Sequence, residues 1–191
     1  MASTWAWAIS SDMTRLRLLL LSAFILLWAL PVAAVDTEVE TTRFLREAFA
    51  QSAVPVVPEF LWLTAELRPA VQAILGRDIS GARLRYWRAG RRTAWVLDEV
   101  GKEMPITVGI VVDNNGIERM RVLVYRESRG WEVQSPNFLR QFIGARLGKE
   151  QQLDRDIDGI SGATLSVRAM TRMAKLALRL HQEAMAKATL P

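Results

Sequence analysis

The chain has 191 residues, no cysteine, one histidine and a formal net charge of +5. Without cysteine it cannot form disulfides, ligate iron–sulfur clusters through thiolates, attach c-type haem, carry a lipoprotein anchor or use thiol catalysis, and a lone histidine argues against a histidine-built metal site. The basic residues are interspersed with acids, which suits an acidic partner face or an anionic membrane surface better than nucleic acid.

Taken in chain order, the first signal is Arg15 and Arg17 followed by an uncharged run from Leu18 to Val35. Pro31 breaks the run, Val32-Ala33-Ala34 offers small residues for cleavage, and Asp36, Glu38 and Glu40 follow at once. A retained anchor needs about 20 apolar residues, so residues 1–35 read as a signal peptide cleaved near Ala34, with an uncleaved membrane anchor as the alternative. Met13 is an alternative start. The expected location is the periplasm or the outer face of the cytoplasmic membrane.

Residues 36–80 are expected to form a helical N-terminal extension. The apolar spacing predicts a short amphipathic helix over 41–53, ended by Pro55 and Pro58. A second helix is predicted over 60–75, with Pro69 near its start and Gly76 at its C-terminal end.

The middle of the chain reads as β-structure. Two short runs, 83–88 and 93–99, flank Ala89-Gly90-Arg91-Arg92, a hairpin turn. Two longer runs, 106–112 and 117–125, flank Asp113-Asn114-Asn115-Gly116. Asn-Gly between β-branched runs is a strong hairpin signal, because both residues tolerate positive φ. After the charged segment 126–130, Ser135-Pro136-Asn137 predicts a helix start, and a helix over 137–147 carries Phe138, Leu139, Phe142 and Ile143. Residues 148–156 form a polar connection. The last helix spans 163–186, with Val167, Met170, Met173, Ala174, Ala177 and Leu180 on one core-facing stripe. His181, late in that helix, is expected to be solvated or half-buried. The pattern is α+β: an antiparallel sheet with packed helices, in a single domain after the N-terminal segment.

Between the polar connection and the last helix lies Asp158-Gly159-Ile160-Ser161-Gly162-Ala163-Thr164. Ser161 can serve as an N-cap for the helix. Gly162 and Ala163 leave little bulk, so another molecule can approach the backbone. Thr164 falls in the first turn, where a phosphate meets free N–H groups and the positive end of the helix dipole. An ordinary cap without a ligand is the bland alternative.

The run Asp-x-x-Ser-Gly-Ala-Thr before a helix resembles the attachment motif of the FMN-binding domain family, and the resemblance is best over 106–178. It implies that residues 81–191 form an FMN-binding domain. It also implies that a flavin transferase joins FMN, through its phosphate, to the hydroxyl of Thr164, and that Asp158 belongs to what that transferase recognises. The larger relatives are covalently flavinylated subunits of sodium-pumping NADH:quinone reductase and of Rnf-type complexes. This chain is shorter, which points to a stand-alone carrier.

For a flavin on Thr164, Trp131, Phe138 and Phe142 are candidate ring contacts, with a core role as the alternative for each. Arg126, Arg129 and Arg168 are candidates for stabilising a reduced, anionic flavin, or are simply solvated. Glu127 is a candidate to pair with an arginine of its own loop. No acid–base pair, nucleophile–histidine arrangement or dinucleotide fingerprint is present. Electrons are therefore expected to come from one redox partner protein and pass to another. The alternatives are a stand-alone flavin-dependent reductase and a non-redox binding or regulatory module.

Overall fold

The computed structural model describes residues 32–188. The apolar run up to Leu30 lies outside the described residues, as do Arg15 and Arg17. The first described helix, α1, spans Val32–Ala48 and so takes in the small residues expected at a cleavage site. Among the described residues no helix is long and apolar enough to cross a membrane.

Five strands form one antiparallel sheet in sequence order: β1 (Val57–Trp62), β2 (Arg83–Ala89), β3 (Arg92–Val100), β4 (Pro105–Asp113) and β5 (Gly116–Tyr125). The expected β4–β5 hairpin forms, but it turns on Asn114 and Asn115, both at positive φ, one residue before the Asn-Gly pair, because Gly116 already pairs with Asp113 in the ladder. Every residue from Ile106 to Val112 is buried because β4 is covered on both faces.

One face packs against α1. Phe44, Ala48 and Phe49 meet Ala94, Val111 and Leu123. Gly109 permits the approach, since a Cβ there would lie 2.7 Å from the Phe44 ring. The other face packs against α4 (Thr164–Ala188), whose expected stripe of Val167, Met170, Met173, Ala174, Ala177 and Leu180 is buried with Trp95, Ile106, Val108 and Ile110. Helix α2 (Leu67–Leu75) joins the same core through Leu67, Val71 and Leu75. It begins near Pro69 and ends at Gly76 (φ 71), as read from the sequence.

Two expected helices are shorter than their patterns suggested. Residues 60–62, expected to open the helix over 60–75, instead end strand β1, paired with β2 in the register Phe60↔Arg85 and Trp62↔Arg83. Its β-branched and aromatic content fits an edge strand, and Pro58 is tolerated there because no further strand needs its missing N–H. The expected helix over 137–147 stops after α3 (Pro136–Arg140). Beyond it Gly144 (φ 79) donates to Ile117 O at 2.7 Å, and Ile117 N donates back to Ala145 O at 2.9 Å. The start of β5 thus draws the chain out of helical geometry.

His181 is fully buried rather than solvated. Its Nδ1 shares a 2.8 Å hydrogen bond with Thr93 Oγ1, which also accepts from Trp95 Nε1 at 3.0 Å. Burial pushes its pKa down to about 4, with Arg91 adding to the effect and Asp113 opposing it.

Candidate functional site

The site forms where three segments meet. Helix α4 opens at Thr164, and Ala163 O accepts its first bond from Val167 N at 2.9 Å. Ala163 is thus the N-cap, and Ser161 is not. Ser161 and Gly162 instead occupy a turn closed by Ala163 N to Ile160 O at 3.0 Å, with Gly162 at φ 79. Ala163 has no side-chain oxygen to take the first-turn N–H groups, which by helix geometry have no intrahelical acceptor. Those donors, beside an exposed Thr164 hydroxyl, face outward at the positive end of a 25-residue helix.

The second segment is the loop between β3 and β4, Gly101–Met104. Gly101 N donates to Met104 O at 3.1 Å, closing a tight turn. The third segment follows β5. Here Glu127 Oε1 accepts from the backbone nitrogens of Glu103 at 2.8 Å and Met104 at 3.0 Å, and also from Lys102. Burial pushes the Glu127 carboxyl up. The three N–H bonds and the Lys102 charge outweigh it and hold the carboxyl below its usual range. Glu127 therefore holds the neighbouring loop, where the sequence suggested an arginine of its own loop.

Together these segments enclose an open cavity of about 510 Å³. Lys102 and Glu103 form one wall, Glu127, Ser128 and Arg129 another, and Gly162 to Ser166 the third. Small residues allow the close approach. Gly130 (φ 79) sits where a Cβ would come within 3.1 Å of Ala163 Cβ and Tyr125 Oη. Tyr125 Oη donates to Arg129 O at 2.6 Å, fixing the backbone of the Arg129 wall.

The predicted residues divide clearly. Gly162, Ala163, Thr164 and Arg129 line the cavity. Asp158 and Ser161 are exposed on the approach to it, and the Asp158 N–H donates to Gln141 Oε1 at 2.7 Å. Trp131 is 64% exposed beside Gly130 and does not line the cavity. Arg168 is exposed on α4, one turn beyond Thr164.

Two expectations are corrected. Phe138 and Phe142 are buried and packed edge to face, with centroids 5.5 Å apart, so they belong to the core and cannot meet a ring at the surface. Arg126 turns away from the cavity, donating to Thr107 Oγ1 at 3.0 Å and Thr37 Oγ1 at 2.9 Å. Lys102 and Glu103 were missed. The only hint was the Gly-Lys-Glu break between two strands, and nothing local says which other loop it will face.

The arrangement fits a phosphate ester. It offers an accessible hydroxyl, first-turn N–H donors, the cations Lys102 and Arg129 on the walls, and a Gly162 with open space where a Cβ would stand.

Residues 101–179 match the FMN-binding domain family, which bears out the resemblance read from the motif and extends it back to the Gly101 loop. Among solved structures, the fold is similar to the crystal structure of NqrC from Shewanella oneidensis, with a TM-score of 0.59 and 16% sequence identity. That likeness covers 80% of this chain and 99% of the other. No curated protein sequence matches the chain.

Proposed function

We propose that this chain is an electron-transfer flavoprotein that carries FMN as a phosphoester on Thr164 and works on the outer side of the cytoplasmic membrane. The observation that carries this reading is the Thr164 hydroxyl, exposed at the head of α4 and opening onto the cavity inside the segment that matches the FMN-binding domain family. In the attachment step Thr164 Oγ would attack the flavin-side phosphorus of a flavin–adenine dinucleotide donor, the phosphoanhydride bond would break, AMP would leave, and the hydroxyl proton would pass to solvent. The helix N-terminus then holds the phosphate with its free N–H groups, and Lys102 and Arg129 offset its charge.

When bound, FMN supplies one- and two-electron chemistry. The chain's own part is to position the ring and shield it. Leu165 on the cavity wall and Met104 at the end of the Gly101 loop both expose apolar side chains suited to a flavin edge. Redox partner proteins deliver and remove electrons, and a covalent link keeps the cofactor from being lost outside the cytoplasm. The exposure of Asp158 suits recognition by a flavin transferase. The run Leu18–Val35 behind Arg15 and Arg17 supports export.

Intact mass of the protein co-expressed with a flavin transferase tests the reading. The expected result is a gain of one FMN minus water in the wild type and no gain in Thr164→Ala. An unmodified wild type would overturn it.

A further inference from the structure

The surface farthest from this site along the sheet has a different character. On β1 and β2 the antiparallel register sets Trp62 beside Arg83, Phe60 beside Arg85 and Pro58 beside Trp87. Paired residues share a face, so these six side chains form one surface. It is the face that α1 covers: the α1 cluster reaches across β3 to β5 and onto Trp87 and Ala89 of β2, and leaves Phe60, Trp62, Arg83 and Arg85 exposed. Phe60 is 48% exposed and Trp62 53% exposed. Val54 and Val56, leading into β1, are exposed as well, whereas other exposed apolar side chains such as Val39 and Ile143 are scattered.

The arginines of this face are arranged by the rings. Arg83 Cζ lies 4.1 Å from the Phe60 centroid and 5.5 Å from that of Trp62, and Arg85 Cζ lies 5.0 Å from Trp87. Among the described residues neither guanidinium has a carboxylate within ion-pair distance. The acid of the ribbon, Glu59, points to the opposite face, where it binds Arg88 and Tyr86. Asp98, on the same face of β3, takes the Thr107 hydroxyl at 2.5 Å. The surface therefore presents two arginines without an ion-pair partner, set over the exposed rings of Phe60 and Trp62 and the half-buried ring of Trp87.

We propose that this open face of the β1–β2 ribbon docks on an anionic lipid bilayer. Its chemistry matches the two layers of a membrane interface. Trp and Phe rings settle at headgroup depth beside the valines, while guanidinium groups held over the rings pair with lipid phosphates in bidentate fashion. Charge complementarity selects the anionic surface, because the two arginines have no internal counter-ion to give up. An acidic protein would satisfy the charges but would leave the valine and aromatic edge to be matched separately.

Hydrogen–deuterium exchange of the full chain, with lipid nanodiscs of phosphatidylglycerol and phosphatidylcholine or of phosphatidylcholine alone, tests the proposal. Exchange over 54–62 and 83–89 is expected to slow at least about fivefold with the anionic discs and to remain unchanged with the neutral ones. Arg83→Glu with Arg85→Glu should abolish the slowing, and Arg83→Gln with Arg85→Gln should weaken it, while exchange over 106–112 stays at the wild-type level and reports an intact sheet. Equal exchange in the two discs overturns the proposal. So does slowing that survives the Glu pair, or slowing produced only by an acidic protein partner and by neither disc.

Discussion

Glu127 Oε1 lies 2.8 Å from the backbone nitrogen of Glu103, and the same oxygen serves Lys102 and Met104. One carboxylate thus organises a loop two strands away in sequence and builds a wall of the cavity that faces Thr164. A charged acceptor meeting several N–H groups is stronger than a neutral one, so the wall depends on the Glu127 charge.

Glu127→Gln should therefore keep the fold and loosen residues 102–104. The expected cost is about 1 kcal/mol of local stability, read as faster amide exchange of Glu103 and Met104. In the wild type the effect has a pH signature. The folded carboxyl is held below its ordinary value of 4.5. Its contribution is complete above that value and is lost as pH falls through the lowered one. Unchanged exchange in the variant would show that the turn holds itself.

Gly130→Ala should damage the site without touching Thr164. The residue sits at φ 79, and its added methyl would come within 3.1 Å of Ala163 Cβ and Tyr125 Oη. Backbone strain of this kind costs about 1–3 kcal/mol, and crowding adds to it. Gly76→Ala is the matched control, with φ 71 and nothing within 4 Å. Thermal melting should fall further for Gly130→Ala, and only that variant should carry less FMN.

Gly109→Ala should clash with α1, since three Phe44 ring atoms lie within 2.8 Å of the new Cβ. Overpacking of this sort costs about 1–3 kcal/mol. Phe44→Leu alone removes buried contacts, yet combined with Gly109→Ala it should cost less than the two single changes added together. Urea unfolding of the four proteins measures the coupling, and strict additivity would contradict the packing described.

The burial of His181 gives stability a second pH dependence. Its folded pKa of about 4 lies below its ordinary 6.5, so the unfolded chain binds the proton more readily. The stabilisation is complete above pH 6.5 and is lost as pH falls toward 4. Melting temperature should therefore drop between pH 7 and pH 5. The drop should be smaller in His181→Leu, which keeps the Trp95–Thr93 hydrogen bond. An equal drop in both proteins would remove His181 from the account.

Much of this molecule was readable because it is locally encoded. The hairpin at Asp113–Gly116 is legible from its Asn-Gly signal between two β-branched runs, although the ladder sets the positive φ one residue earlier, at Asn114 and Asn115. The α4 stripe follows from helical spacing, and the motif ending in Thr164 needs only seven consecutive residues. Gly76 closed α2 for the same local reason. Other features depend on residues distant in sequence. Strand β1 exists because β2 supplies its ladder partners, so a segment with mixed helix and strand signals settled on the latter. Helix α3 stops short because Ile117 exchanges backbone bonds with Gly144 and Ala145. Phe138 and Phe142 went to the core while Arg126 went under α1, since the same apolar or charged side chain serves either place until neighbours are known. Thr164 was visible from the sequence by itself. The cavity it faces required the tertiary fold, because Lys102, Glu103 and Glu127 acquire their role only when the chain brings three separate loops within hydrogen-bond reach.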